Sequence, residues 1–590
     1  IRGSGYADVD FVIPEVVREL HVREGVYDPR QGDAAIVGSA DFSLGVARRG
    51  TRVKLSYGSF NQLRALGIVA PRGANQDTFV AVALRKTDGF GARRASRSAS
   101  LNAQYGFELP NRFQMRMFVA GNTAESELAG VVREDDVASG RIGAFDSYPY
   151  FAENQGVAAH RILAGVEFTR RERGGTKLRL LPFISASHLR ARQNYAGTLE
   201  TSQIDPSLAA RGDLFETRNR ELMGGALFSV RTERRLGPKT RIVIEPGLQA
   251  RLGSTRLGKN LLEPSTLGVW DRRIDAAVTS LDLGAYFDVE LTLWNRLRIA
   301  GGPRLDYLAR TIDDQLTYAL FRSGQTPGGT RRSAAGAFVG PRLSAEYWLA
   351  PELSLMAAYG EGFRSLDPSR LPEGNTRPYS RVRSIEAGLR ARDPSGLLSS
   401  SIAVFRTLVG NELVFAPEAG GLDTQNASVR SGLVTSLLLR SHVGLLVSTA
   451  LSVTEAQYQT RVAGISHVVP NVPPLLWRAD VSWEHGLGAV AAKPLIGHLR
   501  AGYTWAAPAH ISDQLRGPGT HALAVGADLR REGVRVGFDI YNVLDRRSAD
   551  SADRFVSNWG FSPGQQPASM AVHTVAAPPR TLVASLELEL

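Results

Sequence analysis

The chain has 590 residues, 60 glycines, no cysteine and a formal net charge of +12 at pH 7. Lack of cysteine excludes disulfides, thiolate metal sites and thiol nucleophiles, and the glycines follow no three-residue period, which excludes collagen. Mean hydropathy is −0.14, and no run of about 18 apolar residues offers a transmembrane helix, a test that half-apolar barrel strands escape.

The first stretch with a clear local pattern is Ile13–Phe42. Pro14 suits a first helical position, and Glu15 suits the first turn, so a short helical turn is predicted over Pro14–Glu19. Leu20 and Val22 then alternate with His21 and Arg23, a strand period that ends at Gly25. Asp28-Pro29 and Gly32-Asp33 signal turns. A second short strand is predicted over Ile36–Phe42, with Asp41–Val46 leading into the rest of the chain.

From residue 45 onward alternation dominates. Between Ala277 and Leu293 the odd positions are mostly apolar (Leu281, Leu283, Phe287, Val289), and the even ones mostly polar or small (Ser280, Asp282, Gly284, Asp288, Glu290). A helix would spread these charges around every side, so a strand is predicted. Its length exceeds the three to ten residues usual in soluble proteins. The pattern returns at Trp477–Glu484, Leu499–Trp505, Val534–Tyr541 and Leu582–Leu590. Strands are expected at Thr51–Ser59, Gln62–Ala70, Thr78–Thr87, Ser96–Phe107 and Arg112–Ala120, continuing in pairs to Val534–Val543 and Arg580–Leu590.

The connections come in two kinds that take turns. Pro110-Asn111, Gly174-Gly175, Gly237-Pro238, Trp294-Asn295, Ala350-Pro351, Asp393–Gly396, Ser441 and Arg531–Gly533 are short. Thr123–Gly156, Arg192–Glu216, Gly253–Asp275, Asp313–Thr330, Phe363–Tyr379, Asn411–Asp423, Gln459–Asn471, Ala507–Gly519 and Leu544–Pro579 are long, and Gly486–Pro494 is intermediate. Outer-membrane barrels sort their connections this way, with short periplasmic turns and long extracellular loops. A sandwich or propeller has no reason to do so. The count of strands is 22, the size of plugged outer-membrane transporters.

Several motifs now point to one family. Pro14-Glu15, Glu19–Gly25, Gly32–Ala35 and Gly38–Phe42 resemble the end of the plug domain of TonB-dependent outer-membrane receptors. Tyr57-Gly58-Ser59-Phe60-Asn61 is similar to their first barrel hairpin, Gly360–Arg364 to a Gly-Phe-Arg stretch at the outer end of a middle strand, and Asp539–Asp545 to their penultimate strand. The final residue, Leu590, departs from the usual aromatic terminus. The resemblance implies an all-β fold: a 22-stranded antiparallel transmembrane β-barrel with a remnant of an N-terminal plug in its lumen. Residues 1–45 are expected to be the C-terminal part of the plug, with Pro14, Glu15, Gly25, Gly32 and Gly38 as its motif, and 46–590 the barrel. Ile1-Arg2-Gly3 lies too close to Pro14-Glu15 for the family's spacing, so the front of the plug and the TonB box are expected to lie outside this sequence.

What the resemblance implies about function is active uptake of a scarce substrate into the periplasm: siderophore, cobalamin, glycan, peptide or metal complex. The implied partners are the TonB-ExbB-ExbD complex, the substrate, and an outer membrane with its lipopolysaccharide. The protein is expected to be monomeric. The rival readings are a passive porin, a surface adhesin and a soluble all-β protein.

Catalysis has little support. The ten histidines are dispersed without ligand spacing, and G-x-S-x-G and Walker-type loops are absent. No cofactor, metal site or catalytic residue is expected. Nucleic acid is not expected as a partner either, because Arg179, Arg241, Arg390, Arg500 and Arg535 stand singly at strand positions. Lumen-facing Asp282, Asp288, Glu290, Arg500, Arg535 and Asp539 suit a wet interior. The candidate ligand-binding residues are bulky loop aromatics: Tyr148, Tyr150, Phe151, Trp270, Phe555 and Trp559.

Overall fold

The computed structural model describes residues 10–590 apart from 151, 173, 200–210, 317–330, 367–377, 417–420, 461–465, 491 and 561–567. Twenty-two antiparallel strands form a closed barrel, and Thr581–Glu589 pairs with Gly50–Gly58 to complete the ring. Closure leaves no strand edge unpaired, which a hydrocarbon surrounding requires.

The alternation read from the sequence sets the two faces. Along Val269–Leu293, Val278, Ser280, Asp282 and Asp288 are buried, whereas Leu283 and Phe287 are exposed. Neighbouring strands continue the outer belt with Leu248, Leu252, Leu305, Tyr307, Val339 and Leu343. Short turns join strands on one rim. At Trp294 and Asn295 both φ values are positive, 53° and 54°, the backbone form that suits a tight hairpin to the twist of its strands.

The sorting of connections holds with three adjustments. The first hairpin turns through only Ser59–Asn61 on the long-loop rim. The expected intermediate connection shrinks, because Leu475–Val490 and Lys493–Ala506 pair almost to the turn. The expected long loop Gly253–Asp275 is corrected: Thr240–Leu262 and Val269–Leu293 stay paired through it. These strands have 23 and 25 residues, over twice the roughly nine to eleven that a bilayer needs. Outside the membrane the outward positions no longer have to be apolar, so the alternation fades while the pairing continues.

The N-terminal stretch enters the lumen. Pro14–Val16 forms one 3-10 turn, shorter than the predicted Pro14–Glu19, because Val17 is already extended and pairs with Leu44. Strand β1 (Val17–Glu24) and strand β2 (Gly38–Leu44) then form a separate two-stranded sheet.

Candidate functional site

The segment from Asp10 to Val46 is fixed to the wall at its base. Ile13, Val16 and Val46 are buried in an apolar cluster with Leu66, Ile68, Phe79 and Ala81 of two adjacent barrel strands. Asn102 closes the backbone there: its side-chain oxygen accepts from the Ile13 N–H at 2.7 Å, and its amide donates to the Phe11 carbonyl at 2.6 Å. Arg64 donates to both oxygens of Glu15 at 2.6 and 2.7 Å. Burial pushes the Glu15 carboxyl up, and Arg64 overrides this and holds it below the usual range.

The tip of the segment reaches the opposite side. The base touches strands Gln62–Ala70 and Phe79–Thr87, and the tip touches strands from Thr240–Leu262 to Tyr379–Arg392, about half-way round the ring. Gly25 (φ 68°) and Gly38 (φ 149°) frame the turn region between β1 and β2. A Cβ on Gly38 would lie 2.4 Å from the Arg23 carbonyl oxygen, so a side chain is excluded there by contact as well as by backbone conformation.

Two arginines of the wall clamp this tip. Arg304 and Arg342 are each 2% exposed. Arg304 donates to the Pro29 carbonyl at 3.1 Å and to the Gln249 side-chain oxygen at 3.0 Å, and Asp306 holds its other edge at 2.8 Å. Arg342 donates to the carbonyls of Gln31, at 2.6 Å, and Asp28, and to that of Glu361 at 3.2 Å. A planar five-donor group suits such convergent carbonyls. Gly32 lies against the same clamp: a Cβ there would be 3.1 Å from Arg304 Nη2.

Charge and close approach complete the seat. Asp28 and Arg30 pair at 2.8 Å, and Arg30 also faces Glu245 and Asp288 of the wall at 3.5 and 3.8 Å. Burial pushes the Asp28 carboxyl up, and Arg30 outweighs it and holds it below its ordinary range. Tyr27 meets Ser384 at 3.0 Å, and burial pushes its phenol up to about 12. Asp33 accepts from the Ser365 N–H and hydroxyl at 2.8 and 2.7 Å. Gly360 and Gly362 leave room for Val26: a Cβ on Gly360 would lie 2.3 Å from the Val26 carbonyl oxygen. The Ala34 N–H donates to the Phe363 carbonyl at 3.1 Å. The Gly-rich run singled out in the sequence is therefore the seat of the segment's tip.

The long loops build a second structure at the other rim. Ala549–Ser557, Ser569–Ala576 and Val132–Arg133 form a three-stranded sheet, and four loops share one apolar core. Tyr148 stacks on Trp559 at 4.6 Å between ring centroids, and Phe555 on His573 at 3.7 Å. Phe415 and Tyr195 meet edge to face at 4.8 Å. The Tyr148 hydroxyl donates to Asp136 at 2.5 Å, and Arg133 donates to Ser557 Oγ at 3.2 Å.

Of the aromatics singled out in the sequence, Tyr148, Phe555 and Trp559 come together, but they are 1%, 6% and 2% exposed. They hold the loops to one another. Tyr150 is 63% exposed, and Phe151 lies outside the described residues. Trp270, expected in a loop, stands instead on the strand Val269–Leu293, because that strand continues beyond the membrane. The lumenal charges mostly neutralise one another along the wall: Asp282 with Arg310, Glu290 with Arg298, Asp539 with Arg500, and Arg535 with Asp528. Of these six, Asp288 faces Arg30 of the segment at 3.8 Å. Sequence reasoning missed Arg304 and Arg342. The available signal was two arginines at inward positions of strands whose counterparts bear the Gly-rich run. Among the described residues, no group of three or more His, Asp or Glu is placed to hold a metal ion.

A family model described as TonB dependent receptor-like, beta-barrel matches residues 40–543. No curated protein matches the chain by sequence. Among solved structures, the ferric citrate transporter FecA in its unliganded form is similar with a TM-score of 0.74 and 14% identity, over 98% of this chain and 84% of that one. The ferric yersiniabactin uptake receptor FyuA from Yersinia pestis has a TM-score of 0.75 and 14% identity, over 98% and 85%. The copper transporter OprC has a TM-score of 0.71 and 14% identity, over 100% and 89%. At such identity the likeness is one of fold.

Proposed function

This chain belongs to the TonB-dependent receptor family of Gram-negative outer-membrane β-barrels, and from that premise we propose that it takes up a scarce substrate into the periplasm at the expense of TonB-ExbB-ExbD work. Residues 1–45 are the C-terminal part of a plug and 46–590 the barrel. The observation that carries this reading is the seat of the segment's tip: two fully buried arginines and two glycines of the wall receive one stretch of main chain across the lumen. A passive pore gains nothing from such a seat.

The substrate is a small complex recognised from outside. The similar structures are described as transporters or receptors of ferric citrate, ferric yersiniabactin and copper, so a metal complex is the class to try first. In this reading Tyr148, Phe555 and Trp559 shape the roof, and Tyr150 is the aromatic left to meet a ligand. The Arg30–Asp28 pair and the two wall arginines hold the tip in place until a pull on the segment frees it.

Planar-bilayer conductance of the protein taken from its own outer membrane tests the gate. Nearly closed channels that open when Arg304 and Arg342 are both replaced by alanine support it. Steady large conductance of the unaltered protein favours a porin.

A further inference from the structure

The lumenal wall carries a cationic arc near its rim of short turns, away from the seat of the tip. Around the ring, the strands Phe113–Glu127, Gly156–Arg171, Thr176–Gln193 and Leu214–Gly237 lie between those that hold the base of the segment and those that hold its tip. Arg116, Arg171, Lys177, Arg179, Arg231 and Arg235 stand on the halves of these strands that lead to the short turns. All six point inward. They share the parity of buried Asn122, Thr169, Leu189 and Asn219, opposite to that of exposed Met117, Ile162, Ile184 and Leu222 on the same strands.

Half of this charge is left without a counterion in the wall. Arg116 and Arg179 share Glu167, and Arg231 shares Glu245, at 3.0 Å, with Arg30 of the tip. Glu233 is held by Arg241 at 2.8 Å. Arg171, Lys177 and Arg235 have no carboxylate within ion-pair distance among the described residues, and Arg171 and Arg235 are exposed. Lys177 also stands directly opposite Arg171 on one neighbouring strand and Arg231 on the other, and Arg235 stands opposite Arg241. Like charges directly opposite across strands are unfavourable, so the arc calls for an anion from the lumen.

We infer that this arc is an exit site for the cargo and that the cargo is an anionic complex, with Arg171, Lys177 and Arg235 receiving its carboxylate or other oxyanion groups as it passes between the segment and the wall. The six side chains face the lumen and not the lipid, which sets aside a membrane headgroup as the anion. A cleft lined by one sign of charge concentrates the opposite ion, and arginine offers an oxyanion two parallel donors. The inference rests on the uptake reading and deepens it: the metal complex proposed there becomes one of net negative charge.

Binding of pyranine, a fluorescent trisulfonate, to the detergent-purified natural protein tests the site without knowledge of the cargo. R171A/K177A/R235A should bind it at least about ten-fold more weakly than wild type. Heat-modifiable migration in gels confirms that the variant is a folded barrel, and R171Q/K177Q/R235Q, which keeps long polar side chains, takes its place with the same expectation should the alanine variant fail to fold. Equal affinity of wild type and the folded variant overturns the inference, whether because another part of the plug covers the arc or because its charges are spent elsewhere.

Transport separates the inference from the reading beneath it. Radiolabelled ferric citrate serves as the anionic probe and copper(II) ion as the cationic one. Cells should accumulate ferric citrate in preference to copper(II), and only with TonB. R171E/K177E/R235E should slow that accumulation about ten-fold without changing the binding of ferric citrate to cells that lack TonB. TonB-dependent accumulation that prefers copper(II), or an unchanged rate in the glutamate variant, overturns the inference and leaves the uptake reading standing. Accumulation at the same rate without TonB overturns the uptake reading and the inference with it.

Discussion

Arg304 on the barrel wall donates to the carbonyl of Pro29, 275 residues earlier in the chain, at 3.1 Å. The contact joins the two parts of the molecule at a point where neither has water to fall back on. Removing such a buried cation leaves Asp306 uncompensated and uncovers main-chain acceptors, a change that costs about 3–5 kcal/mol in comparable buried pairs. Arg304→Ala should therefore undock the tip while leaving the barrel folded. Hydrogen exchange across residues 26–36 checks this, and unchanged protection there would count against the clamp. Arg304→Lys should recover only part of the effect, because lysine lacks the planar fork.

Gly360 makes a separate test of the same seat. A Cβ there meets the Val26 carbonyl oxygen at 2.3 Å, whereas one on Gly67 meets nothing within 4 Å. Gly360→Ala should raise exchange in residues 26–36, and Gly67→Ala should not. Equal behaviour of the two variants would mean that the tip is not held against this strand.

At the other rim, Trp559 is 2% exposed and stacks on Tyr148. Truncating a buried tryptophan costs about 3–5 kcal/mol. Trp559→Ala should loosen residues 128–150, 549–558 and 569–576 together, with the barrel's heat resistance preserved. Proteolysis with a folded-barrel control measures this; cleavage rates equal to wild type would show that the loops do not share one core.

The roof should also weaken in acid. His573 is 1% exposed, and burial, followed by the nearby Arg133, pulls its pKa down to about 3. An unfolded loop would titrate near 6.5. With the folded value depressed, the neutral ring's contribution is complete above about pH 6.5 and is lost as pH falls toward 3. Exchange in residues 549–557 and 569–576, corrected for intrinsic rates, should rise between pH 7 and 4, and His573→Asn should flatten the profile. A pH-independent roof in the wild type would contradict this.

The barrel was legible because lipid and water impose opposite demands on alternate residues, and a strand such as Val269–Leu293 records both. The order of short and long connections added its direction. What stayed hidden depends on closure. Arg304 and Arg342 look like other inward arginines until the ring brings them to Pro29 and Gln31. Trp270 and its neighbours lost their alternation outside the bilayer, so a strand read as a loop. The roof aromatics were found, but burial is a property of four loops meeting, and Tyr148 and Tyr150 carry no local mark that one is covered and the other open.

Substrate accumulation in cells with and without TonB tests the central claim most directly. Cells expressing the natural protein would be offered radiolabelled ferric and copper complexes in otherwise isogenic strains. The account predicts accumulation of one such complex that collapses to the binding-only level when TonB is deleted. Accumulation that persists at the same rate without TonB would contradict it.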